Sequence, residues 1–120
     1  GVPAGAVIEN GAVSGFEYTR WADGTQLCWG ERTYGNVEVD TPSGGAFQSA
    51  PFNEVFPAAF VAPPSVLLHG RRADGVHDGW AIAETVSATG FSGLHLALTS
   101  AVAQTRIAGF AAFGRWFASQ

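Results

Sequence analysis

Apolar and polar positions along the chain form a succession of short period-two segments broken by turn residues, the pattern of β-strands rather than helices. From Phe16 the segment FEYTRW alternates, with Phe16, Tyr18 and Arg20 on one side and Glu17, Thr19 and Trp21 on the other. Ala22-Asp23-Gly24-Thr25 follows, and Asp-Gly between alternating runs is a strong hairpin signal. TQLCWG returns with Leu27 and Trp29 on a common face. NVEVD alternates again, and TPSGGAFQSAP reads as a loop. A further strand ends at Phe56, where Pro57 interrupts backbone pairing, and SVLLHG is a short apolar run expected to be a buried strand.

The stretch from Arg71 to Gly79, RRADGVHDG, is the most polar of the chain and reads as a loop between strands. Beyond it Trp80, Ile82 and Val86 share one face, while Ala81, Ala83, Thr85 and Ser87 form a small-sided face that admits close approach of another surface. Ala88-Thr89-Gly90 is a turn; Leu94, Leu96 and Leu98 then alternate cleanly with His95, Ala97 and Thr99. The final run, RIAGFAAFGRWF, is apolar at both parities, with Ile107, Phe113 and Phe117 on one side and Phe110 and Trp116 on the other. A strand apolar on both faces in so small a protein predicts a subunit interface. No internal repeat is present. The expected fold is all-β: a compact antiparallel β-sandwich of about six to seven strands over residues 15–120. The small, Gly-rich residues 1–14 read as a connector to whatever precedes them.

Composition adds three constraints. A length of 120 residues suits one core. Charged residues make up only 13%, about half the usual share of roughly 25%, so part of the apolar surface is expected to be covered by other copies of the chain. The net charge of -4, with no Lys, argues against a nucleic-acid partner, which needs a basic patch. The single cysteine, Cys28, sits between Leu27 and Trp29 and reads as a small core residue. The apolar stretches fall short of the roughly 18–20 residues that span a bilayer, so no membrane insertion is expected. The opening GVPAGAVIEN lacks the charged start and apolar run of a signal peptide, so work outside a cell would call for release by lysis, as with virion proteins.

Two resemblances build on these residues. IENG, FEYTRWADGTQLCWG and VFPAAFVAPPSV resemble the C-terminal domains of phage and prophage tail fibre proteins. The second half, from FPAAFVAPPSVLL through TVSATGF to FGRWF, resembles the H-type lectin domain of snail agglutinins and discoidin C-termini. The lectin resemblance implies an antiparallel sandwich that assembles as a parallel trimer and binds N-acetylgalactosamine or related sugars on end loops near subunit boundaries. The position of the family's sugar-binding arginine falls near Asp78, and those of its aromatic and histidine fall near Leu98 and Thr99, so the sugar contacts themselves are not preserved. Together the resemblances imply a homotrimeric, H-type lectin-like tip of a virion tail fibre. It would be extracellular when functional, joined to upstream fibre or other tail proteins, and would recognise host-surface polysaccharide or glycan. The alternative is a purely structural trimerising cap or docking module of the virion tail.

Sugar recognition needs planar hydrogen-bonding groups and an aromatic face. Arg71, Arg72, Asp74, His77 and Asp78, with Trp80 just behind, hold that inventory and are the expected ligand-binding residues; the plainer reading is a solvated loop with a buried Trp anchor. Arg20, Trp21 and Asp23 form a second candidate, whose plainer role is to fix the turn. His69, His77 and His95 are not spaced as metal ligands, although a trimer could repeat one of them around an ion on its axis, and His95, facing away from the leucines, is placed best for that. No metal site or cofactor is expected. No nucleophile elbow or phosphate loop is present and the carboxylates are scattered, Asp74 and Asp78 reading as loop acids rather than a glycosidase pair, so no enzyme is expected.

Overall fold

A computed structural model describes residues 7–73 and 79–117. The described chain is all-β, with strands β1 (Val7–Val13), β2 (Phe16–Trp21), β3 (Thr25–Val39), β4 (Thr41–Ser43), β5 (Ala46–Gln48), β6 (Phe52–Val55), β7 (Ser65–Arg72), β8 (Gly79–Val86), β9 (Gly90–Ala97) and β10 (Ala101–Arg115). They form two antiparallel sheets. The first has the order β1-β2-β3-β10-β7. In the second, β9 is central, with β5 and β6 along one edge and β8 along the other. The two longest strands, β3 and β10, have 15 residues each and lie side by side in the first sheet. At about 3.3 Å per residue they account for most of the 56 Å long axis of a molecule only 25 × 20 Å across.

The sandwich agrees with the expectation, but it has more strands than expected. TQLCWG and most of NVEVD belong to one strand, which runs through Gly30 and Gly35 without a break; a Cβ on Gly30 would sit 2.3 Å from Phe16, whose ring lies over the strand. The segment read as a loop after Asp40 is a hairpin of two three-residue strands, turned by Gly44 and Gly45 at φ 56° and 88°. Two consecutive positive φ values match the twist of a two-residue hairpin turn. Strands so short carry no periodicity to read. Part of the stretch read as a connector, Val7–Val13, is an edge strand paired with β2.

Phenylalanines dominate the core, where Phe16, Phe56, Phe60, Phe91 and Phe110 pack with Cys28 and Ala112. Phe110 takes Phe16 edge-on at 4.9 Å and Phe91 at 5.1 Å. Each such ring contributes roughly 1.5–3 kcal/mol by burial. Cys28 is fully buried, as expected of a core residue, and that burial raises its thiol pKa.

Four expectations about facing are corrected. β7 is half-buried rather than buried: Val66 and Leu68 point inward while Leu67 is 65% exposed. It also extends through Arg71 and Arg72, so the polar loop is shorter than the stretch from Arg71 to Gly79. On β9 the leucine side is the one turned away from the first sheet. Phe91, Gly93 and His95 face the interior of the sandwich, while Leu94 and Leu96 lie on the opposite face beside their cross-strand partners Ile82 and Trp80, and are nonetheless buried there. A regular alternation identifies an apolar face without saying which sheet surface it occupies. His95 is thus inside the protomer, not on an outer surface where an axis could repeat it. Finally, Phe110 is core and Trp116 bonds within the protomer, its Nε1 donating to the Trp21 carbonyl at 2.9 Å, so the outward face of β10 is Ile107, Gly109, Ala111 and Phe113. On β8 a bulge between Ala83 and Thr85 shifts the register. Val86 therefore packs on the core while Trp80 and Ile82, expected on the same face, are exposed.

Candidate functional site

The ends of β7 and β8 carry the described part of the predicted sugar site. Arg71 points out from the first sheet and makes an ion pair with Glu31 at 3.6 Å, both side chains about half exposed, a contact worth about 0–1 kcal/mol. Arg72, one position on, is half-buried toward the other face of that sheet. Trp80 lies on the outer surface of the second sheet. These three residues share one end of the sandwich without converging on one pocket. Asp74, His77 and Asp78 lie outside the described residues. The second candidate proves to be a turn clamp: Asp23 Oδ1 accepts from the Thr25 amide at 2.9 Å, which lowers the Asp23 pKa, and Arg20 donates to Gln26 Oε1 at 2.7 Å and to Glu9 at 3.3 Å.

A concave site lies at the same end, where the second half of β3 passes over β9. It encloses about 500 Å³ and has Tyr34, Phe52 and His95 as its inner lining and Asn36, Glu38 and Asp40 at its margin. Each of the inner residues is fixed by the fold. Glu54 accepts hydrogen bonds from both the Tyr34 hydroxyl and Arg32 Nε, holding the phenol in place. Burial, with the hydrogen bond to Glu54 adding to it, raises the Tyr34 pKa well above its usual range. The His95 amide donates to Ser49 Oγ at 3.0 Å, and the Ser49 amide donates back to the His95 carbonyl at 2.9 Å. The imidazole packs against Phe52 at 4.7 Å and Tyr34 at 5.2 Å.

His95 is 2% exposed, yet neither ring nitrogen has a hydrogen-bond partner among the described residues. Buried polar atoms are as a rule paired. Burial, with a smaller push from the Arg106 charge, lowers its pKa to about 4. At neutral pH the ring is therefore uncharged, offering one donor and one acceptor. Asn36 holds a left-handed backbone conformation, φ 53°, and with Glu38 and Asp40 is exposed at the rim. Among the described residues no three His, Cys, Asp or Glu side chains gather as a metal site.

Sequence reasoning saw NVEVD as a strand and missed the cleft above it. The available signal was two carboxylates one residue apart beside Asn36; the approach of Tyr34 and Phe52 to His95 is a product of the sheet pairing, which spacing along the chain does not encode.

The sandwich of two antiparallel sheets is similar in fold to parts of pyocin tail fibres and of a phage tailspike. The C-terminal part of the Pseudomonas aeruginosa R1 pyocin fibre superposes with a TM-score of 0.66 at 19% identity, over 95% of this chain and 28% of that one. An N-truncated R1-type pyocin tail fibre superposes at 0.63 and 18% identity, over 95% of this chain and 87% of that one. The tailspike of Pseudomonas phage phi297 superposes at 0.54 and 11% identity, over 76% of this chain and 16% of that one. The chain thus spans little more than a quarter of the longer R1 fragment. At such identities the likeness is one of fold. No protein-family model and no curated protein matches the chain.

Proposed function

We propose that the chain is the receptor-binding tip of a virion tail fibre, working outside the cell as a homotrimer and recognising host-surface carbohydrate without catalysing a reaction. The observation that carries this reading is the shared fold with pyocin tail fibres over 95% of the chain. One further feature supports it. The outer surface of the first sheet is apolar, with Leu67 65% and Phe113 45% exposed near Leu27, Trp29 and Ala111. Contiguous apolar surface of this kind marks an interaction site, and a second copy of the chain is its occupant in the proposed trimer. The end loops then sit together at one end of the assembly, as in the lectin-like arrangement, and three weak sites act with the avidity that linkage confers.

The glycan contacts belong to the β7–β8 end, through Arg71, Arg72 and Trp80 and the intervening Asp74, His77 and Asp78. Upstream fibre or other tail proteins are the remaining partners. The test is co-sedimentation of the intact assembly with soluble host polysaccharide. Alanine at Arg71, Arg72 and Trp80 is expected to weaken binding while leaving assembly intact. Unchanged binding in that variant would move the glycan contacts elsewhere on the chain, whereas no binding by the intact parent assembly would leave a structural cap, especially if substitution on the outward face of β10 abolished assembly.

A further inference from the structure

The fold buries the imidazole of His95, braces it between two aromatic rings and bonds both of its backbone polar groups to Ser49, yet leaves both ring nitrogens unused. We propose that the cleft over His95 binds one neutral sugar unit, with hydroxyls bonded by Glu38, Asp40 and Asn36 and one hydroxyl bonded to the imidazole, whose nitrogens are closed to solvent in the unliganded fold and are uncovered as the sugar seats. The proposal rests on the glycan-binding reading above, and it assigns the ligand to a site separate from the β7–β8 loop.

The chemistry selects this ligand over the alternatives. A hydroxyl both donates and accepts, so it complements a neutral imidazole on either nitrogen. Rim carboxylates accept from hydroxyls through charge-assisted bonds, and they repel a carboxylate or phosphate on the ligand. Among the described residues no Arg lines the cleft to offset that repulsion, although the charge of the buried Arg106 reaches His95. A bare divalent cation is disfavoured because the described side chains do not supply three ligands. Tyr34 and Phe52 provide the apolar wall that the C–H face of a pyranose needs, and the cleft volume of about 500 Å³ lies within the roughly 300–1,000 Å³ of small-ligand sites.

The experiment is an NMR titration of the intact protein with its histidine ring nitrogens labelled, using D-glucose, D-galactose, D-mannose and N-acetyl-D-glucosamine, with D-glucuronate as the acidic counterpart. At least one neutral sugar is expected to move the His95 ring signals saturably, and D-glucuronate to bind about tenfold more weakly. His95→Phe should weaken the neutral sugar by about tenfold or more, while melting at the same or a higher temperature because it removes unpaired buried nitrogens. Glu38→Gln with Asp40→Asn, which leaves the imidazole in place, should erase the discrimination against D-glucuronate. The proposal is overturned if no neutral sugar moves His95, if His95→Phe binds as the parent does, or if D-glucuronate binds as well as the neutral sugars. Its failure is separable from that of the receptor reading. Polysaccharide that binds the assembly equally with and without the His95 ring removes the cleft and keeps the receptor, whereas monosaccharide bound at His95 with no polysaccharide bound does the reverse.

Discussion

His95 shows how a single residue can be placed against the preference of its chemistry. Its ring is interior, its pKa is depressed to about 4, and its charge is excluded by burial and by Arg106. The unfolded chain protonates near the ordinary value of about 6.5. Protons therefore bind the unfolded state first as pH falls, so this contribution to stability is intact above about pH 6.5 and is lost on the way down to about pH 4. Denaturant unfolding at about pH 7 and pH 4.5 should show the parent losing roughly 2–3 kcal/mol more than His95→Phe; equal losses would mean that the imidazole is protonated in the folded state. A glycine gives the second residue-scale prediction. The Cβ of a residue replacing Gly70 would come 2.6 Å from the Ala81 Cβ, where the two sheets meet. Gly70→Val should then cost about 1–3 kcal/mol, read as a lower denaturant midpoint, and a midpoint at the parent value would deny the close approach of the sheets.

At the scale of elements, what could be read from the sequence was whatever is local. The β2–β3 hairpin is where Asp-Gly placed it, with Gly24 at φ 96° and the Asp23 carboxylate capping the Thr25 amide. Cys28 is core, and the turn at Ala88–Gly90 closes through Ser87. The small-sided face of β8 admits another surface, as its side chains suggested, but that surface is Gly70 of the facing sheet in the same protomer. What was not legible depends on pairing. Leu94 and Leu96 alternate perfectly and still lie on the face of β9 turned away from the first sheet, buried there beside Ile82 and Trp80, because Phe91 and His95 are the residues that meet Phe110 and Tyr34 across the sandwich. The β4–β5 hairpin was hidden by its brevity, and with it one wall of the cleft. Gly30, inside β3, is the seat of the Phe16 ring.

At the scale of the molecule, both sheets present apolar side chains outward: Leu67 and Phe113 on the first, Trp80 and Ile82 on the second. The doubly apolar final strand thus divides its work, with Phe110 in the core and Phe113 on the surface proposed to meet a second copy. Phe113→Asp tests that division. In a lone protomer the new carboxylate would stand in water at little cost, whereas inside a trimer interface it would be buried at a cost on the order of several kcal/mol per subunit. The variant is expected to keep its fold by circular dichroism and lose its assembly. Sedimentation equilibrium of the parent protein at micromolar concentration bears most directly on the proposal of a trimeric fibre tip. It should return three times the 12.5 kDa mass of the chain for the parent and a single chain mass for Phe113→Asp; a well-behaved parent at one chain mass would contradict it.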